Sequence, residues 1–303
     1  MAGILWTMHK RPQEAVEGLR TLLGAAVGVG GGLLAYTFVE PCLFRFNVRH
    51  VPLDTPRVDV LHLSDAHLGS GQHRRREFLS SLPGRLERPP ELILATGDMI
   101  ETNSGIDPLL ETLEPFEASW GKFYVNGSHD YYQAQFMSYR KYFGDAEQTG
   151  LLPSDFGRLK AGLDRLGWTS LTNRQEVLDT PIGPVRLSGV DDPYLKRHST
   201  AHLGTDRGDA LRIGLMHAPD VVSEFALEGF ELILAGHTHG GQVRFPLIGA
   251  VVTNSSLPTA LACGLHRVGG SWLHVSPGLG HGTFSPIRFL TRPEATLLRL
   301  GRG

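Results

Sequence analysis

Carboxylates and imidazoles recur along the chain at short spacings that suit metal binding. Asp65 and His67 are two residues apart, and His237 and His239 repeat that spacing. A mixed set of carboxylates and imidazoles suits manganese, iron or zinc, and it is large enough to hold two ions with one carboxylate bridging them. Ser128, His129 and Asp130 form a further polar cluster. The candidate metal ligands are Asp65, His67, Asp98 as the bridge, His217, His237 and His239.

These side chains follow apolar runs of strand length, each of which stops abruptly at polar residues. Short apolar runs separated by helix-length segments, such as 74–86 and 155–166, predict the buried strands and helices of an α/β fold. In open α/β sheets, ligands bind beyond the carboxyl ends of the strands, so the polar clusters should converge there. Glycines precede three clusters, where we expect sharp turns, at positions 97, 127 and 236. The predicted strands are 58–63, 91–95, 123–125, 211–216 and 230–235.

The order of these motifs resembles that of the calcineurin-like metallophosphoesterases. The motifs are Asp-x-His at 65–67, Gly-Asp-x-x-Glu at 97–101, Gly-x-His-Asp at 127–130, a lone His217, and Gly-His-x-His at 236–239. The resemblance implies a four-layer α/β sandwich, in which helices flank two β-sheets and two divalent ions bind at the strand ends. It also implies hydrolysis of phosphomonoesters, phosphodiesters or pyrophosphates. On the same resemblance, Asp65, His67, Asp98 and His239 would hold one ion, and Asp98, His217 and His237 the other.

The third motif departs from the family pattern, which has asparagine where this chain has Ser128. In the family, that asparagine carbonyl completes the second metal site. A serine hydroxyl is shorter and is a poorer ligand for a hard cation. We therefore expect Ser128 or a water molecule to fill the position, with weaker binding of the second ion. A mononuclear or inactive site is the alternative.

The two ions predict the reaction. They would bind phosphoryl oxygens and lower the pKa of a bridging water, so that hydroxide attacks phosphorus in line. His129 would protonate the leaving oxygen, with Asp130 holding its ring in the required tautomer. Glu101 completes the second motif, although an acid in a first helical turn is an equally good interpretation. For Arg288 a surface position is favoured over a contact with phosphate.

The N-terminal part of the chain has a different composition. Residues 21–39 carry no charge over nineteen positions, close to the roughly 20 residues of a membrane-spanning helix. We predict a single-pass anchor there, after an N-terminal segment (1–20) and before a linker (40–55) and the phosphoesterase domain (56–303). A cleaved signal peptide or a glycine-rich loop are the alternatives. Basic residues flank both sides equally, so the side of the membrane stays open.

Two C-terminal stretches resemble one branch of the family. GHTHGGQVRFP at 236–246 and VSPGLG at 275–280 are similar to the membrane-attached branch related to UDP-2,3-diacylglucosamine hydrolases. The resemblance implies a lipid-linked phosphate or pyrophosphate as substrate.

Composition limits the remaining classes of function. A net charge of −2 and a pI near 6.7 disfavour a nucleic-acid partner. Cys42 and Cys263 are far apart and are predicted to be unpaired. The leading hypothesis is a membrane-anchored phosphoesterase acting on a phosphorylated small molecule or lipid-linked substrate. The alternatives are a binding or scaffold protein with a weakened site, and a protein phosphatase or nuclease of the same fold. The sequence leaves the oligomeric state open.

Overall fold

Two six-stranded mixed sheets lie at the centre of the fold. The computed structural model describes residues 28, 30–135, 151–204 and 210–302. The strands are β1 (Arg45–Val51), β2 (Val58–Leu63), β3 (Leu92–Thr96), β4 (Gly121–Val125), β5 (Trp168–Ser170), β6 (Arg174–Thr180), β7 (Gly183–Gly189), β8 (Leu211–Leu215), β9 (Leu232–Ala235), β10 (Arg244–Phe245), β11 (Gly249–Ala250), β12 (Gly264–Val268), β13 (Ser271–Val275) and β14 (Glu294–Leu300). The first sheet has the order β1-β14-β2-β3-β4-β5 and the second β12-β13-β9-β8-β7-β6, while β10 and β11 form a separate hairpin.

Helices cover the outer faces of the two sheets. The α-helices are α1 (His73–Ser81), α2 (Ile106–Leu113), α3 (Ser128–Tyr131), α4 (Phe156–Arg165) and α5 (Val222–Leu227). Buried side chains of α1, α2 and α4 pack on one face of the first sheet, and Val222 and Phe225 of α5 pack on the second sheet. A third apolar cluster, which includes Val60 and Ile213, lies between the sheets. This layering agrees with the predicted α/β sandwich. Short 3-10 helices span Glu40–Cys42, Pro83–Arg85, Asn103–Gly105, Pro219–Val221, His239–Gly241 and Thr259–Leu261.

The segment predicted as a linker is part of the fold. β1 pairs in parallel with β14, from Arg45 beside Glu294 to Val51 beside Leu300. The two arginines of β1 and its alternation of exposed and half-buried residues are typical of an edge strand, which explains why its apolar content is low. The folded domain therefore begins before residue 56, and the linker prediction is corrected to that extent.

The N-terminal segment is described only in part. Residues 30–39 are helical and lead into Glu40, whose carboxylate accepts hydrogen bonds from the backbone amides of Leu290 and Thr291. Within the described ranges, no helix combines the length and the apolar character needed to cross a bilayer. Residues 1–27 and 29, which include the start of the predicted anchor, lie outside these ranges.

Candidate active site

The structure brings the predicted ligands together where the two sheets meet. Asp65 and Asp98 follow β2 and β3 of the first sheet, while His217 and His237 follow β8 and β9 of the second. His237 Nδ1 lies 3.3 Å from His217 Nε2. Three groups of side chains offer ligand atoms that all lie within 4.8 Å of one another: Asp65, His67 and His239; His67, Asp98 and His129; and Asp65, Asp98 and His217.

Hydrogen bonds to the far side of each ring direct bare nitrogens into this cluster. His217 Nδ1 lies 2.7 Å from the carbonyl oxygen of Thr96, and His237 Nε2 lies 2.7 Å from that of Asn254. Because a carbonyl can only accept, these nitrogens carry the protons, and His217 Nε2 and His237 Nδ1 are left as acceptors. His67 Nδ1 contacts Glu101 Oε2 at 2.6 Å, and its Nε2 has no hydrogen-bond partner among the described residues. This ring orientation is the one that metal-binding histidines adopt.

The bare nitrogens face carboxylate oxygens, which are acceptors too. Asp98 Oδ2 lies 3.3 Å from His217 Nε2 and 3.5 Å from His67 Nε2. Both rings and the carboxylate are buried. Two buried acceptors at such distances need positive charge between them. The residues present therefore fit divalent cations of the kind that bind mixed nitrogen and oxygen ligands.

The pKa values of the cluster residues also indicate that positive charge is required between them. Burial would raise the pKa of Asp98, but the imidazoles of His217 and His129 hold it well below its usual value. Burial would lower the pKa of His217, yet Asp98 raises it well above the ordinary range. The pKa of His67 is raised in the same way, against burial, by Glu101 and Asp98. A second proton on each ring or a shared cation can supply this charge.

Most of the candidate ligands have a strained backbone. Left-handed conformations are uncommon outside glycine, and the few in a protein often mark functional sites. Here the φ angles are 51° at Asp65, 43° at His67, 50° at Asp98, 67° at His237 and 47° at His239. The concentration of this strain on five of the seven predicted ligands supports a functional role for the cluster.

The preceding glycines are needed for two different reasons. Gly97 has a φ of 86°, which is the sharp turn expected from the sequence. Gly236 instead allows close approach, because a Cβ atom there would collide with Ser64 Oγ and Asp65 Oδ2. Loops from the two sheets therefore touch at the cluster.

Asp130 has different contacts from those predicted. One of its carboxylate oxygens accepts the backbone amides of Asp98 and Gly127, each at 2.9 Å, and the other accepts that of Met99 at 2.8 Å. The side chain beside the His129 ring is Glu101, with Oε2 3.7 Å from Nδ1. The prediction that Asp130 fixes the His129 tautomer is therefore corrected. Asp130 holds the loop that carries Asp98.

Glu101 links two histidines at the site. It is buried and contacts His67 directly, while its other oxygen accepts the amide of Thr283 at 2.6 Å. Burial would raise the pKa of Glu101, but His67 and His129 lower it to about 2. Glu101 is thus an anionic partner of two imidazoles, and its interpretation as a simple helix N-terminal acid is wrong.

Ser128 and His129 line the pocket above the cluster. Ser128 is the first residue of α3 and is buried, and the amide of His129 donates to Asp98 Oδ1 at 2.8 Å. The His129 ring packs edge to face on His67, with 4.8 Å between ring centroids. The pocket has a volume of about 210 Å³, and its lining also includes Gln242 and Val252. A substrate in the pocket would therefore meet His129 and the metal ligands together.

A chain of hydrogen bonds runs from Asp65 into the core between the sheets. Ser64 Oγ donates to Asp65 Oδ2 at 2.5 Å and accepts from Thr96 Oγ1 at 2.7 Å. Since the Thr96 proton is used there, His62 Nε2 must donate to Thr96 Oγ1, at 2.9 Å. His62 Nδ1 must then accept from His274 Nδ1, at 2.8 Å. This series of hydrogen bonds determines which atom is the donor in each contact, and it holds the Asp65 carboxylate from the core side.

Arg288 is buried, contrary to the surface position predicted for it. Its guanidinium donates to the carbonyl oxygens of Pro277, Gly280 and Thr291 and lies 3.3 Å from His239 Nδ1. Burial lowers its pKa to about 10, so it stays charged at neutral pH. Arg288 ties the C-terminal loop to the metal-ligand loop. No local sequence pattern indicates this contact, since it joins residues 49 positions apart.

Asp192 is a further acidic residue near the cluster that the motifs did not reveal. It follows β7 and is fully buried, and its Oδ2 has no hydrogen-bond partner within the described ranges. Burial raises its pKa to about 7, with opposing influences from His217 and Asp98. The sequence signal is weaker than at the five predicted clusters, because Arg186 and Ser188 interrupt the apolar residues that precede Asp191 and Asp192.

Comparisons with known proteins agree with this geometry. The family model for calcineurin-like phosphoesterases matches residues 58–241. The uncharacterized metallophosphoesterase YkoQ of Bacillus subtilis is 28% identical over 79% of this chain and 82% of its own length. The phosphodiesterase YaeI of Escherichia coli is 27% identical over 71% of this chain and 72% of its own. A zebrafish (Danio rerio) transmembrane protein with a metallophosphoesterase domain is 26% identical over 97% of this chain and 66% of its own. The chain therefore belongs to the calcineurin-like phosphoesterase family of metal-dependent hydrolases.

Proposed function

We propose that this protein is a membrane-anchored phosphoesterase that uses two divalent ions to hydrolyse a phosphodiester or pyrophosphate bond. The observation that carries the proposal is the convergence of buried carboxylates with bare imidazole nitrogens, in which Asp98 Oδ2 lies within 3.5 Å of two rings. Asp98 is the candidate bridging ligand, with Asp65, His67 and His239 on one side and His217, His237 and Ser128 on the other. Bound ions would neutralise phosphoryl oxygens and lower the pKa of water at the site.

The chain supplies the proton for the leaving group. His129 lines the pocket, and its amide is fixed on Asp98. Glu101 stays ionised, and its carboxylate lies 3.7 Å from Nδ1 of the His129 ring. General acid catalysis of this kind contributes about 10²- to 10⁴-fold to a rate. Asp130 positions the loop of Asp98 and takes no part in proton transfer.

A substrate with two substituents on phosphorus is favoured by similarity to YaeI, which is named a phosphodiesterase. The membrane anchor at residues 21–39 is supported by their lack of charge and by similarity to the zebrafish protein, which is named a transmembrane protein. A lipid that carries a phosphodiester or pyrophosphate would have two substituents on phosphorus and would lie in the same membrane as the anchor. The aliphatic wall formed by Val252 would then lie beside the lipid end of the substrate.

The test is hydrolysis of bis(p-nitrophenyl) phosphate by the full chain in mild detergent. The protein is stripped with a chelator and reloaded with Mn²⁺, Fe²⁺ or Zn²⁺. Asp98→Asn is compared with Asp164→Asn, whose side chain is half exposed on α4. We expect metal-dependent turnover in the wild type and in Asp164→Asn, and none in Asp98→Asn. Turnover of a dialkyl pyrophosphate and of p-nitrophenyl phosphate is then compared with that of bis(p-nitrophenyl) phosphate. The comparison shows whether the enzyme prefers an anhydride, a monoester or a diester.

Two negative results would contradict different parts of the proposal. If wild-type protein binds metal, measured by elemental analysis, but hydrolyses none of the three compounds, the catalytic proposal is wrong and a scaffold role is favoured. If Asp98→Asn retains full turnover, the assigned metal centre is wrong.

The number of ions is tested at Ser128. An asparagine there would offer an amide oxygen to the second ion, so Ser128→Asn should bind that ion more tightly. Calorimetric titration of Mn²⁺ into stripped protein measures both steps. Equal stoichiometry and affinity in the two proteins would exclude Ser128 as a determinant of the second site.

A further inference from the structure

The β10–β11 hairpin presents large apolar side chains to solvent. Leu247 is fully exposed and Ile248 is 73% exposed, and Phe245, Val251 and Val252 are each about half exposed. Residues 245–265 contain no Asp, Glu, Lys, Arg or His, although Arg244 and Arg267 lie on either side. Single exposed apolar residues are ordinary, but a contiguous apolar tip marks an interaction surface.

The backbone of the hairpin holds this exposure in place. Leu247 has a φ of 67°, in the left-handed region that leucine rarely adopts. The base of the hairpin is fixed by Ala250, which is buried, and by the amide of Arg244, which donates to the carbonyl oxygen of Phe289 at 2.9 Å. The base of the hairpin therefore holds its tip in place. At the tip, Leu247 exposes an apolar side chain to water and also has an unfavourable backbone conformation.

The hairpin and the helical N-terminal segment are joined through a shared contact. Both contact residues 288–289: the Tyr36 ring lies edge-on to Phe289 with 6.1 Å between centroids, and the Arg288 amide donates to the carbonyl oxygen of Thr37 at 2.9 Å. The helical segment exposes Leu33, Leu34, Phe38 and Val39. A second apolar surface thus belongs to a part of the chain that, like the hairpin, contacts the segment 288–289.

We propose that the apolar hairpin, residues 244–252, inserts into the surface of a lipid bilayer and holds the mouth of the active-site pocket against it. Val252 belongs to both the hairpin and the pocket wall, so the two are directly joined. A bilayer is favoured over a second copy of the chain because the hairpin and the end of the uncharged 21–39 stretch contact the same segment, residues 288–289. Arg244, the first residue of the hairpin, also suits the headgroup region, where basic residues flank an inserted apolar face.

This contact uses other residues than the proposed anchor and does not depend on the chemistry of the site. The test uses the full chain in nanodiscs of phosphatidylcholine and phosphatidylglycerol, with Cys42 and Cys263 replaced by serine. A nitroxide is attached at Leu247→Cys, at Leu34→Cys in the predicted anchor, or at Leu227→Cys. Leu227 is a matched control: it is 79% exposed and precedes β9, whereas the site follows β9. Circular dichroism confirms folding of each labelled protein.

Electron paramagnetic resonance reports collisions of each nitroxide with oxygen, which concentrates in lipid, and with a water-soluble nickel chelate. We expect the oxygen-to-nickel ratio at position 247 to exceed that at 227 severalfold. Replacing Ile248 by Glu in the Leu247→Cys protein should lower the ratio at 247 to that of the control.

A ratio at 247 equal to that at 227 would overturn the proposal, and this result is also expected if another protein segment or a second copy covers the hairpin. The probe at 34 separates this failure from failure of the anchor. A lipid signal at 34 with none at 247 keeps the anchor and excludes the hairpin. The reverse keeps the hairpin and excludes the anchor.

Discussion

Replacing His62 and His274 together by leucine should make the protein less sensitive to acid. Both rings are fully buried between the two sheets, with their Nδ1 atoms 2.8 Å apart. Burial lowers the pKa of His62 to about 3. Burial, and then the neighbouring His62, lower the pKa of His274 well below its usual value. The folded protein therefore keeps both rings neutral at pH values where an unfolded chain protonates them.

The size of the effect follows from these values. An unfolded histidine has a pKa of about 6.5, so below that pH the unfolded state binds more protons than the folded state. Above about pH 6.5 these two histidines are neutral in both states and do not lower the free energy of unfolding. As the pH falls from there towards 3, the unfolded chain takes up protons that the folded protein does not, and the free energy of unfolding decreases. Each unit of pH in this window corresponds to about 1.36 kcal/mol for each ring. Going from pH 7 to pH 5 should lower the free energy of unfolding by about 2 kcal/mol for each histidine, or about 4 kcal/mol for the pair.

Leucine replaces both partners of the contact between the two imidazoles, and the Thr96 hydroxyl loses only the bond that it accepts from His62 Nε2. Stability at pH 7 should therefore change little. Thr96 still donates to Ser64 after the change. Urea unfolding of the full chain in mild detergent, with EDTA present, measures the free energy at pH 7 and pH 5. The double leucine variant should lose about 4 kcal/mol less than the wild type. A control variant, His50→Gln with His73→Gln, changes two exposed histidines and should lose as much as the wild type. Equal acid sensitivity of wild type and leucine variant would refute the assignment of two neutral rings.

Three further predictions concern the site. Ser64→Ala removes the donor to Asp65 Oδ2, and calorimetric titration should show metal affinity lower by about 10- to 100-fold; unchanged affinity would contradict the positioning role. His129→Gln should lower kcat for bis(p-nitrophenyl) phosphate by about 10²- to 10⁴-fold with the metal content unchanged, whereas loss of metal would make His129 a ligand. Removing metal with EDTA should lower the thermal unfolding temperature of wild type, because Asp65 and Asp98 are buried, and should leave that of Asp98→Ala nearly unchanged.

The strands that carry the site could be predicted because their signal is local. An apolar run that stops at polar residues identifies β2, β3, β4, β8 and β9 to within two residues at either end. β1 has no such run, and its place depends on pairing with β14 some 250 residues away, so composition indicated a linker. The six charged or imidazole ligand candidates follow the same local rule. The contact between Arg288 and His239 depends on the fold of the C-terminal loop, which no local pattern encodes.

Asp130 illustrates what residue type alone cannot decide. A histidine followed by an aspartate suggests an oriented acid, yet adjacent residues at the start of α3 point in different directions, and Asp130 reaches the backbone of the Asp98 loop. That loop contains an aspartate with a left-handed backbone, a conformation that costs roughly 1 to 2 kcal/mol and has to be held by other contacts. The amides of Asp98, Met99 and Ile100 donate to Asp130, and hydrogen bonds worth about 0.5 to 1.5 kcal/mol each are together sufficient to hold it. The acid next to His129 thus serves the metal site by fixing the conformation of Asp98, while Glu101, from another strand end, supplies the charge beside the imidazole.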